Sequence, residues 1–318
     1  MYDLIAYAKM LADTVRVRAY ADAVRETVRE GSVVLDIGTG PGIFALLACR
    51  AGAARVYAVE PEPIIGLART LAQANGCGDR ITFIEGSSRT IDLPERVDVM
   101  VADIRGQLPL RADALPVLID ARDRHLRAGG TMIPLSDTIS GAVVEAPRTY
   151  DAAVAGWDAA SDGLDFAAAR EVATDALWRM AADDGRLLSA PRRWAEIDYR
   201  VTRACSFRAP LEWEICETGT GHGVMLWFDA RLSPGVSLST GPTGPTLVYG
   251  RALLPWSTPV RCERGTRIDV ALRADFVNDD YIWTWESTIA PRDGASIRFR
   301  QSTLRSALLS KAQLMRTE

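Results

Sequence analysis

The 318 residues are 48% hydrophobic and 25% charged, the balance of a globular chain with room for two domains. A net charge of −4 excludes a chain-wide basic footprint for nucleic acid, and two separated histidines with five scattered cysteines exclude the usual metal-site spacings. No run approaches the roughly 18 apolar residues of a membrane helix, and Asp3, Lys9 and Asp13 interrupt any secretory core, so the sequence predicts a soluble, cytoplasmic protein.

Residues 2–29 carry Leu4, Ala8, Leu11, Val15, Ala19 and Val24 near one helical stripe, with no Gly or Pro between them, which predicts a helical lead-in over residues 1–30. SVVLDIG (32–38), RVYAVEP (55–61), RITFIEG (80–86), VDVMVAD (97–103) and TMIP (131–134) read as strands. They alternate with helices predicted at 43–52, 64–76 and 114–130, the last closed by glycines. This alternation over 31–134 implies a parallel sheet with helices on both faces. From 135 to 318 the grammar changes. An Ala-rich helical stretch at about 150–181 is followed, from about residue 194, by β-type runs between Gly, Pro, Ser and Asp clusters, as in antiparallel sheet.

The informative stretch is VVLDIGTGPGIFALLACRAGAARVYAVEP. Asp36, Gly38, Gly40 and Gly42 fall at a strand-to-helix turn, where glycine permits tight turning and close approach of a ligand to main-chain N–H groups. Glu60 ends the next strand, placed to accept bonds from ribose hydroxyls. Dinucleotide sites use G-x-G-x-x-G; the turn here reads D-I-G-T-G-P-G, a form suited to a ligand without phosphate and similar to that of the class I S-adenosylmethionine methyltransferases.

Three further stretches, MLADTVRVRAY (10–20), DRITFIEGSSRTIDLPERVDVMVADIRG (79–106) and IDARDRHLRAGGTMIP (119–134), resemble the protein arginine methyltransferases in order and spacing. Weaker similarity runs through GWDAASDGLDFAAAREV (156–172) and DARLSPGVSLSTGPTGP (229–245). The resemblance implies an α/β Rossmann-like methyltransferase domain followed by an antiparallel β-barrel-like domain with a helical dimerisation arm. It also implies S-adenosylmethionine as cofactor and a homodimer formed when the arm docks on a partner's nucleotide domain. Carried over by position, Arg16 would pair with the methionine carboxylate, Gly38 and Gly40 would face the methionine portion, Glu60 the ribose and the Ser88 backbone the adenine. Tyr7 and Arg89 depart from the pattern, which usually has His and an acid there.

The family's acceptor site uses two glutamates on the loop after the fourth strand and a Thr-His-Trp loop. Here Asp103 matches the first glutamate, one methylene shorter. The second falls on Ala112, with Asp113 adjacent, and the Thr-His-Trp loop reads Leu247-Val248-Tyr249. A guanidinium clamp needs two carboxylates on one plane, so three readings stand. One is a methyltransferase acting on a nitrogen or oxygen of a small molecule or peptide, with Asp103, Asp113 and Tyr249 at the acceptor. The second is a divergent arginine methyltransferase, and the third a cofactor-binding scaffold. No nucleic acid, membrane or metal is expected as a partner. Arg105 and Arg111 are expected to be solvated loop charges, His125 a charge favouring the helix dipole, and Trp213, Trp227, Trp256, Trp283 and Trp285 core.

Overall fold

The structure is a computed structural model and describes residues 3–159, 163–292 and 294–306. The lead-in is two helices, α1 (Leu4–Ala12) and α2 (Thr14–Thr27). The predicted single helix breaks at Asp13, and residues 1 and 2 of the expected lead-in lie outside the described residues. The break has a cause: Asp13 Oδ1 accepts the Arg16 N–H at 3.0 Å, an N-cap for α2, while Oδ2 accepts the Val248 N–H from the far end of the chain at 2.7 Å.

The α/β unit follows as β1 (Val33–Ile37), α3 (Ile43–Arg50), β2 (Arg55–Glu60), α4 (Ile65–Ala74), β3 (Ile81–Glu85), β4 (Val97–Ala102), α5 (Ala114–His125) and β5 (Leu126–Ile133). The five strands pair in parallel in the order β3-β2-β1-β4-β5. Their apolar runs are continuous because helices cover both faces of the sheet. Chain order reverses beside β1, which pairs with β2 on one side and β4 on the other. Ile37 therefore stands opposite Val59 and Ala102. Glu60, the last residue of β2, and Gly38 and Asp103, the residues just past β1 and β4, are thus brought to one edge, where open α/β sheets form their binding crevices.

The helix predicted over 114–130 stops at His125, and Leu126 already belongs to β5. The glycines at 129 and 130 lie in an irregular stretch of that strand rather than closing the helix. Leu126 pairs with Val97 and Thr131 with Val99, so the register shifts between them, and Gly129 takes a φ of 74°.

Beyond β6 (Ser136–Glu145), the Ala-rich stretch forms α6 (Pro147–Asp158) and α7 (Ala167–Ala173); residues 160–162 of the expected arm lie outside the described residues. The chain leaves the helical arm earlier than residue 181, at β7 (Trp178–Arg179). The short β8 (Arg186–Leu187) and β9 (Arg192–Asp198) follow, then β10 (Phe207–Glu214), β11 (Gly219–Arg231), β12 (Ser237–Ser239) and β13 (Ala252–Cys262). The chain continues with β14 (Arg267–Val277), β15 (Asp280–Ala290), β16 (Ile297–Ser302) and α8 (Thr303–Ser306). These strands pair antiparallel in two sheets, one ordered β10-β14-β15-β16 and one ordered β7-β13-β11-β6-β8, with β12 added to β11 and β9 to β6.

The inner faces carry the tryptophans expected as core. Trp256 and Trp285 are fully buried, and their indole N–H groups donate to Ser287 Oγ at 3.2 Å and to the Pro255 carbonyl at 2.8 Å. One apolar cluster runs from the parallel sheet through these strands, which fixes the second domain against the edge where Gly38, Glu60 and Asp103 meet.

Candidate active site

The glycine turn after β1 is built for close approach. Gly38 and Gly40 adopt φ of 66° and 53°, the left-handed region that L side chains resist. A Cβ at Gly38 would drive into the Ile104 side chain, and one at Gly40 would meet the Tyr7 ring at 2.9 Å. Asp36 supports the turn from below: its Oδ2 accepts the Thr39 hydroxyl at 2.6 Å and the Ala45 N–H at 2.9 Å. Its Oδ1 is buried without a partner, and burial pushes the carboxyl up to about 7.

Glu60, at the end of β2, accepts the Gly40 N–H on Oε2 at 2.9 Å and the Glu62 N–H on Oε1 at 3.1 Å; burial raises its pKa. Ser88 is buried with a hydroxyl that has no partner, and its loop is held by Arg124, which donates to the Ser88 carbonyl at 3.1 Å. A tight glycine turn without Cβ atoms, an acid joined to that turn and an unpartnered buried hydroxyl fit a nucleoside-type ligand laid across the strand ends. Arg16, Asp36, Gly38, Gly40, Glu60 and Ser88 are the residues that would hold it. His125, beside this loop, is buried, and burial lowers its pKa, so it is neutral at pH 7 and does not act on the helix dipole as a charge.

Past β4 lies a second cluster of buried charges. Asp103 Oδ2 faces Arg16, whose Nη2 lies at 2.6 Å and whose Nε donates at 2.7 Å, and accepts the Tyr249 hydroxyl at 2.6 Å. Arg16 Nη1 donates to the Met10 carbonyl at 3.1 Å. Asp103 Oδ1 faces Arg105, whose Nε and Nη2 lie at 3.4 Å. Arg105 also donates through Nη1 to Asp137 Oδ1 at 2.7 Å and through Nη2 to the Tyr20 hydroxyl at 2.5 Å, and Asp137 Oδ2 accepts the Tyr199 hydroxyl at 2.6 Å.

Arg105 is therefore buried, not the solvated loop charge expected from sequence. Burial alone would raise the Asp103 carboxyl, but Arg16, Arg105 and the Tyr249 hydroxyl together hold it below the usual range. Asp137 moves the other way, because burial outweighs its single guanidinium. Tyr249 is pushed well above the ordinary phenol by burial and by Asp103, which keeps it protonated as a donor.

Of the expected acceptor residues, Asp103 and Tyr249 come together and Asp113 stands apart. Asp113 precedes α5 half-exposed, 3.6 Å from Arg89, which reaches Asp279 at 3.3 Å. Ala112, where a second carboxylate would fall, has a φ of 43° and spends its N–H on Asp280 Oδ1 at 3.0 Å, so the loop turns its acid outward. Sequence reasoning missed Arg105 as a site residue, together with Asp137, Tyr20 and Tyr199. The available signal was a lone acid in the otherwise uncharged start of β6 and an Arg two residues from Asp103. Among the described residues, no group of three or more His, Cys, Asp or Glu is placed to hold a metal.

Residues 19–149 match the family described as Ribosomal protein L11 methyltransferase (PrmA), and residues 138–287 the Arginine methyltransferase oligomerization subdomain. The protein arginine N-methyltransferase PRMT10 of Arabidopsis thaliana is 30% identical over 308 residues, spanning 85% of this chain and 80% of its own length. Protein arginine N-methyltransferase 6 of Xenopus laevis is 28% identical over 88% of this chain and 87% of its own length. Among solved structures, the Trypanosoma brucei PRMT1 enzyme-prozyme heterotetrameric complex with AdoHcy shares the fold, with a TM-score of 0.84, 22% identity, and coverage of 93% of this chain and 97% of that one. The crystal structure of Arabidopsis thaliana protein arginine methyltransferase 10 gives a TM-score of 0.81 at 25% identity, covering 94% of this chain and 97% of that one. With a 30% identical relative covered over most of its length, a parallel-sheet domain carrying the glycine turn and an antiparallel domain carrying the arm, this chain belongs to the protein arginine N-methyltransferase family.

Proposed function

We propose that this chain is an S-adenosylmethionine-dependent methyltransferase whose acceptor is a nitrogen or oxygen of a small molecule or peptide rather than a protein arginine. When bound, the cofactor supplies an electrophilic methyl whose bond to sulfur breaks with its electron pair leaving on sulfur. The chain's own residues do the rest. Glu60 and the Gly38–Gly40 turn form the cradle, and Arg16, at the first turn of α2, is the cation that would pair with the cofactor's carboxylate by turning its fork away from Asp103.

The observation that carries the altered acceptor is the Asp103 cluster, in which both carboxylate oxygens are already engaged by the chain's own groups. An ionised Asp103 is a weak base. It orients a donor hydrogen of the acceptor and receives the proton late, once the new carbon bond has made that nitrogen or oxygen strongly acidic. Positioning of the nucleophile therefore carries most of the rate.

A second reading, arginine as acceptor, draws support from the names of the relatives and is separated by experiment. Calorimetry with S-adenosylhomocysteine is expected to give saturable binding that Glu60→Ala and Gly40→Val abolish; equal binding by parent and variants would overturn the cofactor assignment. A labelled methyl donor offered arginine-rich peptides is expected to leave them unmodified while labelling a component of cell extract. Robust arginine methylation lost in Asp103→Asn would establish the second reading instead.

The chain also presents apolar surface suited to a homodimer. Trp157, Leu164 and Phe166 of the arm are 42%, 58% and 36% exposed, and Leu4 and Ile5 on α1 are 65% and 66% exposed. Apolar groups on an arm and apolar groups on a lead-in helix would bury each other across a two-fold axis.

A further inference from the structure

Arg105 is buried, an uncommon place for a loop cation. Its guanidinium lies 5.0 Å from the Phe228 ring centroid, 5.5 Å from that of Tyr249 and 5.8 Å from that of Tyr20. Asp137 accepts from it at 2.7 Å and Asp103 lies at 3.4 Å, and the three charged side chains are at most 3% exposed. Aromatic walls and two carboxylates around a planar, delocalised cation are what a pocket for a guanidinium has to provide. Here the guanidinium is the chain's own.

The charges close on themselves: Arg16 and Arg105 against Asp103 and Asp137, with no carboxylate left unpaired. An incoming arginine would set a second guanidinium beside Arg105 at low dielectric, with one carboxylate oxygen of Asp103 rather than a fork to meet it. Under the methyltransferase reading, only Arg16 has another anion to serve, so only Asp103 Oδ2 can be released to an acceptor. Oδ1 stays turned to Arg105, and a fork that needs both oxygens cannot form.

We propose that Arg105 occupies the guanidinium seat of this pocket and closes it to arginine, restricting the acceptor to an uncharged group that offers one N–H or O–H to Asp103 Oδ2. The acceptor class rests on the proposed methyltransferase function; the seat itself does not. Arg105 is on this account a specificity-determining residue, touching neither cofactor nor reacting atoms.

The test uses the full chain with ethylguanidinium chloride as probe and ethylammonium chloride as ionic control. Binding is read by calorimetry and melting temperature, with and without S-adenosylhomocysteine. The parent is expected to show no saturable binding of either cation. Arg105→Ala is expected to bind ethylguanidinium saturably, at least about tenfold below the highest concentration at which the parent shows none, because a vacated charge-assisted pair is refilled, and to ignore ethylammonium, which lacks the fork.

Should Arg105→Ala not fold, it is refolded in each salt. Recovery of the native far-UV signal in ethylguanidinium alone supports the seat, and recovery in both salts or neither overturns it. A folded Arg105→Ala indifferent to ethylguanidinium, saturable binding by the parent, or methyl transfer by the parent to a peptide arginine would each overturn the proposal. If the parent fails to bind S-adenosylhomocysteine, the methyltransferase reading falls, while the cofactor-free titration of Arg105→Ala still decides the seat.

Discussion

Asp103 is a single carboxylate between two buried guanidiniums, and its removal would leave both short of a partner in a dry site. Breaking such an arrangement from one side is expected to cost about 3–5 kcal/mol, read for Asp103→Ala as a lower midpoint in urea denaturation. Its depressed pKa means that its stabilisation is present above the unfolded carboxylate value and is lost as pH falls. Asp36 has the opposite sign. Its folded value near 7, against 3.8 unperturbed, means the native state holds the proton longer, so its contribution declines as pH rises between those values. Asp36→Asn is expected to remove that slope, so the melting-temperature difference between variant and parent should widen in the variant's favour from pH 4 to pH 7; a flat difference would refute the assignment. The residue types at the cofactor turn and at Asp103 could be read directly from the chain, because both sit at fixed offsets from strong strand signals. Arg105 could not. Whether an arginine three residues past a strand is solvated or buried depends on Asp137 and Phe228, which arrive from β6 and β11.

At the scale of elements, Asp13 joins helix to site. It caps α2 through the Arg16 N–H and ties the Val248 N–H, so it fixes both the helix that presents Arg16 and the loop that presents Tyr249. Asp13→Ala is expected to lose roughly 2 kcal/mol, one cap plus one buried N–H partner, and to weaken S-adenosylhomocysteine binding in calorimetry by misplacing Arg16. A variant as stable as the parent with unchanged binding would remove this coupling role. Element type was legible in the α/β half because periodicity and glycine punctuation agree there. The end of α5 was not, since a glycine pair that closes a helix in one setting lies in an irregular strand in another. Pairing of β5 with β4 decided between them. The break between α1 and α2 was equally hidden, because Asp13 spacing alone does not reveal a cap whose second oxygen serves a residue more than 200 positions away.

For the whole molecule, the exposed apolar groups of the arm and α1 set the prediction. On the proposed homodimer, the parent is expected to sediment as a dimer and Trp157→Arg combined with Phe166→Arg as a monomer with the fold retained; a monomeric parent would overturn the homodimer, and an unchanged dimer would place the interface elsewhere. The sequence by itself determined the α/β alternation followed by antiparallel strands, the cofactor-type turn and the family resemblance, because these reside in local patterns and in spacings along one chain. The tertiary structure alone decided how the buried charges beside Asp103 are paired. Arg16 from α2, Asp103 and Arg105 after β4, Asp137 from β6 and Tyr249 before β13 are distant in sequence. Their ionisation, pairing and exposure exist only once the two domains exclude water from between them.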